Sequence, residues 1–370
     1  MQVALTGATG FLGLRLVREL LGHHDSLTVL AHARSGGALG RITRFMELAG
    51  APSGLIEELP GRLRIVEVDL GQPQMGLPAV AFRQLADELD VIWHSAGNIK
   101  LDDDLVRLRQ ANVEGTRNVL ELAAAGVRKP LIHHISTAFV GGARRDGVLY
   151  EDELDGTHGF ENGYEQSKYE AEVLVHEWSR SHGRPVVVMR PSILVSQLPP
   201  HPELPSHPLQ FLYEVMQTWL PDSGGTLTEE NRPVVRMQGH PHGHLNLMPV
   251  EHAAAVMVQL AGMPPSGQVD TYHVVHDHDV PVKVLTTLAE QLVRVQVKLV
   301  DMKPEDPIPL EAAVALYPGC MQYLGHRRRF DDTRVRTLLG PVSSGTRVDL
   351  EYLTAGATAM GTAVSSAGVR

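Results

Sequence analysis

The sequence predicts an α/β fold: a doubly wound parallel sheet covered by helices on both faces, with a smaller C-terminal region. Two observations predict it. From Val3 to Ser192, short apolar runs alternate with stretches of helical period. Strands so spaced form parallel sheets, because each crossover helix covers a face. The first apolar run also passes straight into a glycine-rich turn, TGATGFLG at 6–13, that opens a helix.

Taken in order, VALT (3–6) is a strand and FLGLRLVRELL (11–21) a helix. SLTVLAH (26–32) is a strand and ALGRITRFMELA (38–49) a helix. RLRIVEVDL (62–70) alternates as a strand does, LPAVAFRQLADEL (77–89) is helical, and VIWHSA (91–96) is a strand end. LVRLRQANVEGTRNVLELAAAG (105–126) reads as one long helix stopped by glycine, and PLIHHIS (130–136) as a strand. YEQSKYEAEVLVHEWSRSHG (164–183) is a helix and PVVVMRPS (185–192) a strand. Residues 1–192 thus form a nucleotide-binding core of Rossmann type.

The pattern then changes. Residues 193–245 carry a proline-dense crossing loop (197–208), a short amphipathic helix (211–221) and a polar loop, and are assigned to substrate binding. Residues 246–295 return to the core through a strand fragment and helix (245–262), a strand (269–275) and a helix (280–292). Residues 296–354, helical in their middle, form a second substrate-binding region, and 355–370 a tail of small residues.

Composition narrows the function. The chain has 370 residues, 43% hydrophobic, with a formal net charge of −10. No basic block tracks a phosphate backbone, so nucleic-acid binding is not expected. One cysteine, Cys320, excludes an internal disulfide framework and a multi-cysteine metal site. It reads as a small buried hydrophobe. With no signal peptide and no apolar run long enough to span a bilayer, the expected location is cytoplasmic. His240, His242 and His244 alternate as metal ligands can, but prolines and glycine among them read equally as a loop, and no metal is assigned.

The glycine turn is the first functional signal. Gly7 suits a tight turn, Gly10 close approach of backbone to a pyrophosphate, and Gly13 close helix–sheet packing. Thr9, Phe11 and Leu12 belong to the same turn, and the helix start offers N–H groups to phosphate. The second strand ends in LAHARSGG, where an acidic residue would accept from a ribose 2′-hydroxyl. Here stand His32 and Arg34, with Arg44 in the helix beyond. A guanidinium favours a 2′-phosphate, so the expected cofactor is NADP(H). The other reading makes Arg34 a solvated loop residue. Asp69 and Leu70 end the third strand and either border an adenine or, for Asp69, cap the next loop.

The second signal is ENGYEQSKYEAE (161–172). Tyr164 and Lys168 stand one helical turn apart and share a face. A lysine ammonium nearby would lower the tyrosine pKa toward working pH. A surface ion-pair helix would carry the same letters. What favours a site is the preceding strand end, where Ser136 and Thr137 supply hydroxyls at the carboxyl end of a parallel strand. Asn112, in the long helix before it, would support helix geometry or a water relay, or lie on the surface.

Together these motifs resemble the extended short-chain dehydrogenase/reductase family. TGATGFLG, Asp69-Leu70, HSAG (94–97), NVEGTRNVLELA (112–123), the STA element, YEQSK and RPS (190–192) fall in the family's order over about half the chain. The resemblance implies that Thr137 is the catalytic hydroxyl, Tyr164 the acid and Lys168 its support. It also implies that Ser95, Ala96, Gly97, Asn112, Pro191 and Ser192 lie along the cofactor. HSAGNIKLDDDLVRLRQANVEGT, STAFVGG and GFENGYEQSKYEAEVLV resemble most the thioester reductase branch, which is related to fatty acyl-CoA reductases. That implies NADPH-dependent reduction of an acyl thioester, carried by CoA or by a carrier protein supplied in trans, to an aldehyde or onward to an alcohol. Alternatives are an alcohol/ketone oxidoreductase, a sugar-nucleotide epimerase, or a non-catalytic nucleotide-binding protein.

Overall fold

Seven strands lie parallel in one sheet: β1 (Val3–Thr6), β2 (Leu27–Ala31), β3 (Leu63–Glu67), β4 (Val91–His94), β5 (Leu131–Ile135), β6 (Val186–Pro191) and β7 (Val269–Val274). Their spatial order in the computed structural model is β7-β6-β5-β4-β1-β2-β3. The description covers residues 1–33, 37–198, 200–205, 232–292, 295–316, 322–340 and 345–356. Chain order reverses between β1 and β4, where Leu5 pairs with Trp93 on one side and Val29 on the other. A crevice opens at the carboxyl ends of strands on either side of such a reversal.

Both faces of the sheet are buried along β1, β2 and β6, which is why these strands read as apolar runs, while the edge strand β3 leaves Arg64 and Glu67 exposed. Val3 and Leu5 point to one face and pack with the helices Phe11–Leu21, Ala38–Leu48 and Val250–Ala261. Ala4, Ile92 and Ile132 point to the other and meet Ala79–Glu88, Gly115–Ala125 and Gly163–His182. The predicted doubly wound sheet is thus present. A helix over Ser53–Arg62 was not expected, because Gly54, Pro60 and Gly61 break its pattern. The long helix at 105–125 is continuous, but Gln110–Glu114 widen into a π turn.

A second core lies outside the sheet. Val235, Met237, Leu245, Leu247, Val295 and Tyr323 are among its buried members. The helix Val282–Leu292 gives Val282, Leu285 and Leu288 to this second core, not to the sheet as its sequence suggested. Its strands run in short pairs, Val234–Gln238 with Gln296–Val300 and Ile193–Val195 with Leu247–Pro249. A two-residue pair, Val148–Leu149 with Arg329–Phe330, ties the chain beyond β5 to the C-terminal region. Among the described residues no helix is long and apolar enough to cross a membrane.

Candidate active site

The glycine turn is built as its spacing requires. Gly7 has φ +72°, and a Cβ there would meet the Ala96 backbone N at 2.6 Å. A Cβ on Gly13 would lie 1.9 Å from the Gly7 carbonyl oxygen, so the helix seats directly on the turn. The Gly10 N–H donates to that carbonyl at 2.9 Å, and Gly10 precedes the helix with no side-chain cap. Thr9, Phe11 and Leu12 complete the turn, Leu12 being buried against the sheet. An uncapped helix start over a small-residue turn fits a pyrophosphate.

Across the crevice, the Ala96 N–H donates to Thr6 Oγ1 at 3.1 Å. That leaves the Thr6 proton for His94 Nδ1, at 2.8 Å. Thr116 donates to the Asn112 carbonyl, so its oxygen accepts from His94 Nε2, at 3.0 Å. His94 is therefore a neutral Nε2–H tautomer, and burial first, then the Lys168 charge, lowers its pKa to about 3. Asn112 sits in the π turn, a frequent device at functional sites. Its Oδ1 accepts from the Asn98 N–H at 2.7 Å, and its Nδ2 donates to the Asn98 carbonyl at 3.0 Å and to Ser167 Oγ at 2.9 Å. Asn112 is thus a staple between the chain leaving β4 and the Tyr164 helix, not a surface residue. Gly97 must be small here, since its Cβ would lie 2.9 Å from Asn112 Oδ1. Ser95 stands with Ala96 and Gly97 at this edge.

The helix Gly163–His182 starts at Asn162, whose side chain accepts from the Glu165 N–H, and stops at Gly183 with φ +60°. It brings Tyr164 beside Thr137, whose hydroxyl acts to lower the phenol's pKa. Thr137 Oγ1 also lies 3.5 Å from the Pro191 carbonyl, and Phe139 N–H donates to it at 3.3 Å. Burial pushes the Tyr164 phenol up to about 12, against the pull of the Thr137 hydroxyl. The expected lowering by Lys168 is not what this arrangement gives. Lys168 Nζ is committed to the Ile135 carbonyl at 2.7 Å, and burial lowers its own pKa to about 8, opposed by Glu172. A phenol so placed stays protonated near neutral pH, a loaded proton donor beside a second hydroxyl. Ser192 is buried at the end of β6, its Oγ without a hydrogen-bond partner among the described residues.

Other candidates are engaged differently. Asp69 Oδ1 accepts from the Gly71 N–H at 3.0 Å, so it caps its loop, and its Oδ2 lies 3.9 Å from His32. Leu70 offers its carbonyl to Asn118 at 2.7 Å. Arg44 is paired with Glu47 at 3.1 Å and reaches His201 and Glu203 of the crossing loop. Arg34, Cys320 and the helix at 211–221 fall outside the described residues. Among the described residues, His276, Asp277 and His278 are close enough to share a metal ion. His276 already spends both ring nitrogens on the backbone of His278 and Thr346.

Sequence reasoning missed the charges beneath the site. Glu172 is fully buried, accepts from Ser136 Oγ, and is paired with buried Arg190 at 2.6 Å. The signal was present: 164, 168 and 172 repeat at four-residue spacing, one face of one helix.

A family model for NAD-binding domains, described as Male sterility protein, matches residues 5–257. The chain is 31% identical over 297 residues to a carboxylic acid reductase of Mycobacterium tuberculosis, covering 75% of this chain and 24% of that protein. It is 33% identical over 226 residues to an isonitrile lipopeptide synthase of Streptomyces coeruleorubidus, covering 60% of this chain and 15% of that one. The chain therefore spans only a small part of these curated relatives. Among solved structures, the terminal R domain of the myxalamid PKS-NRPS biosynthetic pathway superposes with a TM-score of 0.75 at 25% identity, covering 100% of this chain and 92% of that one. The reductase domain of a nonribosomal peptide synthetase from Mycobacterium tuberculosis gives 0.70 at 22% identity, covering 97% and 91%.

Proposed function

The chain belongs to the NAD-binding family described as Male sterility protein, and from that premise we propose that it reduces an acyl thioester to an aldehyde with NADPH. The observation that carries the proposal is the meeting of Thr137, Tyr164 and Lys168 at the carboxyl ends of β5 and β6, the same sheet edge from which the glycine turn follows β1. The likeness to a carboxylic acid reductase and to a terminal R domain favours a thioester over a ketone or sugar nucleotide.

In this reading Gly7, Gly10 and Gly13, with the start of the helix Phe11–Leu21, hold the pyrophosphate. Ser95, Ala96, Gly97, Pro191 and Ser192 border the rest of the cofactor, and Arg34 takes the 2′-phosphate. NADPH, when bound, supplies the hydride. Thr137 and Tyr164 donate to the carbonyl oxygen as it gains charge, and Tyr164 passes its proton to it. The resulting hemithioacetal breaks its C–S bond, releasing thiol and aldehyde. Lys168, one helical turn from Tyr164, supplies a positive charge held on the Ile135 carbonyl. The thioester is a CoA ester or is presented by a carrier protein, and the reaction takes place in the cytoplasm.

The test is cofactor oxidation, followed by absorbance, with octanoyl-CoA, octanal and a cyclic ketone, each with NADPH and with NADH. The expected result is thioester-dependent NADPH oxidation, with aldehyde or alcohol found on product analysis. Tyr164→Phe should lower kcat by about 10²–10⁴-fold. Reduction of the ketone alone, or full turnover by Tyr164→Phe, would refute the reading.

A further inference from the structure

Three consecutive residues at the end of β5 are each held by the same helix, at steps of four residues. Thr137 meets Tyr164, the Ile135 carbonyl accepts from Lys168 Nζ, and Ser136 Oγ donates to Glu172. Glu172 is also the partner of Arg190, which sits in β6 immediately before Pro191. Arg190 Nε donates to its two oxygens at 3.0 and 3.2 Å, and Nη2 to Oε1 at 2.6 Å. The guanidinium is 2% exposed and the carboxylate 0%. From the other side, Arg190 Nη1 donates to the Glu151 carbonyl at 3.3 Å.

We infer that Glu172 is a positioning residue for the reduction: through Ser136 and Arg190, one buried carboxylate holds the two strand ends that carry Thr137 and Pro191. This inference rests on the roles proposed above for Tyr164 and Lys168.

The electrostatics follow from what faces Lys168. On its own helix stand Tyr164, a neutral phenol near neutral pH, and Glu172. From β4 and β5 come His94 and His134, both kept neutral by burial first and then by the Lys168 charge. Arg190 of β6 shares the Glu172 carboxylate. Glu172 is the charge that opposes burial at Lys168. Burial by itself would push the Glu172 carboxyl up, but Arg190, His176 and Ser136 outweigh it and hold it well below its ordinary range. It therefore stays ionised wherever the enzyme would work.

Glu172→Gln alone strands the Arg190 charge in the core, so loss of fold would be uninformative. The decisive variant is Glu172→Gln with Arg190→Met, which removes both buried charges. Its kcat and KM are compared with the parent's, using NADPH with octanoyl-CoA and with octanal, alongside thermal unfolding and a Lys168→Met control. The single variant should unfold at a lower temperature, and the double variant should recover. The double variant should nevertheless lose at least about tenfold in kcat with KM little changed, because the strand ends that carry Thr137 and Pro191 are no longer held. A double variant that is stable and keeps the parental kcat overturns the inference, because a purely structural pair moves stability and not turnover. Full turnover by Lys168→Met, or no NADPH oxidation by the parent with either probe, would instead sink the functional reading beneath it.

Discussion

Glu151 should make this protein less stable as pH rises through neutrality. The residue is 2% exposed, and its two carboxylate oxygens accept from the His273 N–H at 2.9 Å and the Arg334 N–H at 2.8 Å. It thereby joins the chain after β5, the strand β7 and the start of the helix Thr333–Leu339. Burial raises its pKa from 4.5 to about 7, against the pull of both backbone N–H groups. The folded state therefore binds the proton more tightly than the unfolded state. The resulting stabilisation is complete below about pH 4.5, declines above it, and is gone above about pH 7. A gap of about 2.5 pH units at about 1.4 kcal/mol each amounts to about 3 kcal/mol. Glu151→Gln removes the titration. Its amide keeps one acceptor and loses the other, which costs a constant amount at every pH. Urea unfolding of both proteins from about pH 4.5 to about pH 8 isolates the effect, since all other groups cancel in the difference. The parent should lose about 3 kcal/mol relative to Glu151→Gln across that range. A difference independent of pH would refute the reasoning.

Gly13→Ala drives a Cβ to 1.9 Å from the Gly7 carbonyl oxygen. Backbone cannot yield there, so the cost is at least about 1–3 kcal/mol. A lower melting temperature and weaker NADPH fluorescence titration should appear together. Asn112→Ala leaves the Asn98 N–H and carbonyl without their partner. The expected cost is about 1–3 kcal/mol in thermal or urea unfolding, and an unchanged stability would show that water replaces the amide. Arg34→Ala should weaken NADPH at least about tenfold while leaving NADH alone, as befits one lost charge-assisted hydrogen bond of about 1.5–3 kcal/mol. Equal weakening of both cofactors would make Arg34 a loop residue.

The sheet was legible because a strand buried on both faces must be apolar along its whole length. VALT, LTVLA and VVVM announce themselves without any partner being known. The site was legible wherever its residues are close in sequence, as in the glycine turn and Tyr164–Lys168. It was opaque where meaning depends on a distant partner. Glu151, inside Tyr150-Glu151-Asp152, reads as a solvated turn, yet its carboxylate is held by backbone 122 and 183 positions away. Glu172 lies four residues beyond Lys168 and reads as a surface ion-pair position until Arg190 arrives from β6. Asp69 and Arg44 show the converse. Their letters suit a nucleotide, and no sequence signal showed that Asp69 also caps its loop or that Arg44 also pairs with Glu47 and Glu203.

Two buried carboxyls beneath the site titrate in opposite directions, and together they bound the pH range in which the site can hold its shape. Glu172, held ionised by Arg190, contributes stability above the unfolded carboxyl range and loses it in acid. Glu151, held toward its neutral form by burial, contributes below about 4.5 and loses it by about pH 7. Arg190 touches both segments, through the Glu172 carboxylate and the Glu151 carbonyl. The two slopes therefore act on one buried cluster, and its stability should be greatest near pH 4.5, where both contributions are complete, and should fall from there to about pH 7. Lys168, titrating at about 8, remains mostly charged throughout that interval. Acid would weaken the Glu172 side first, freeing Ser136 and the strand end that carries Thr137. Alkali would instead discharge Lys168 while the Glu172–Arg190 pair stays intact. Activity should thus fail with the Glu172–Arg190 link on the acid side, and on the alkaline side with that link intact and only the Glu151 contribution lost. Circular dichroism recorded beside turnover separates the two.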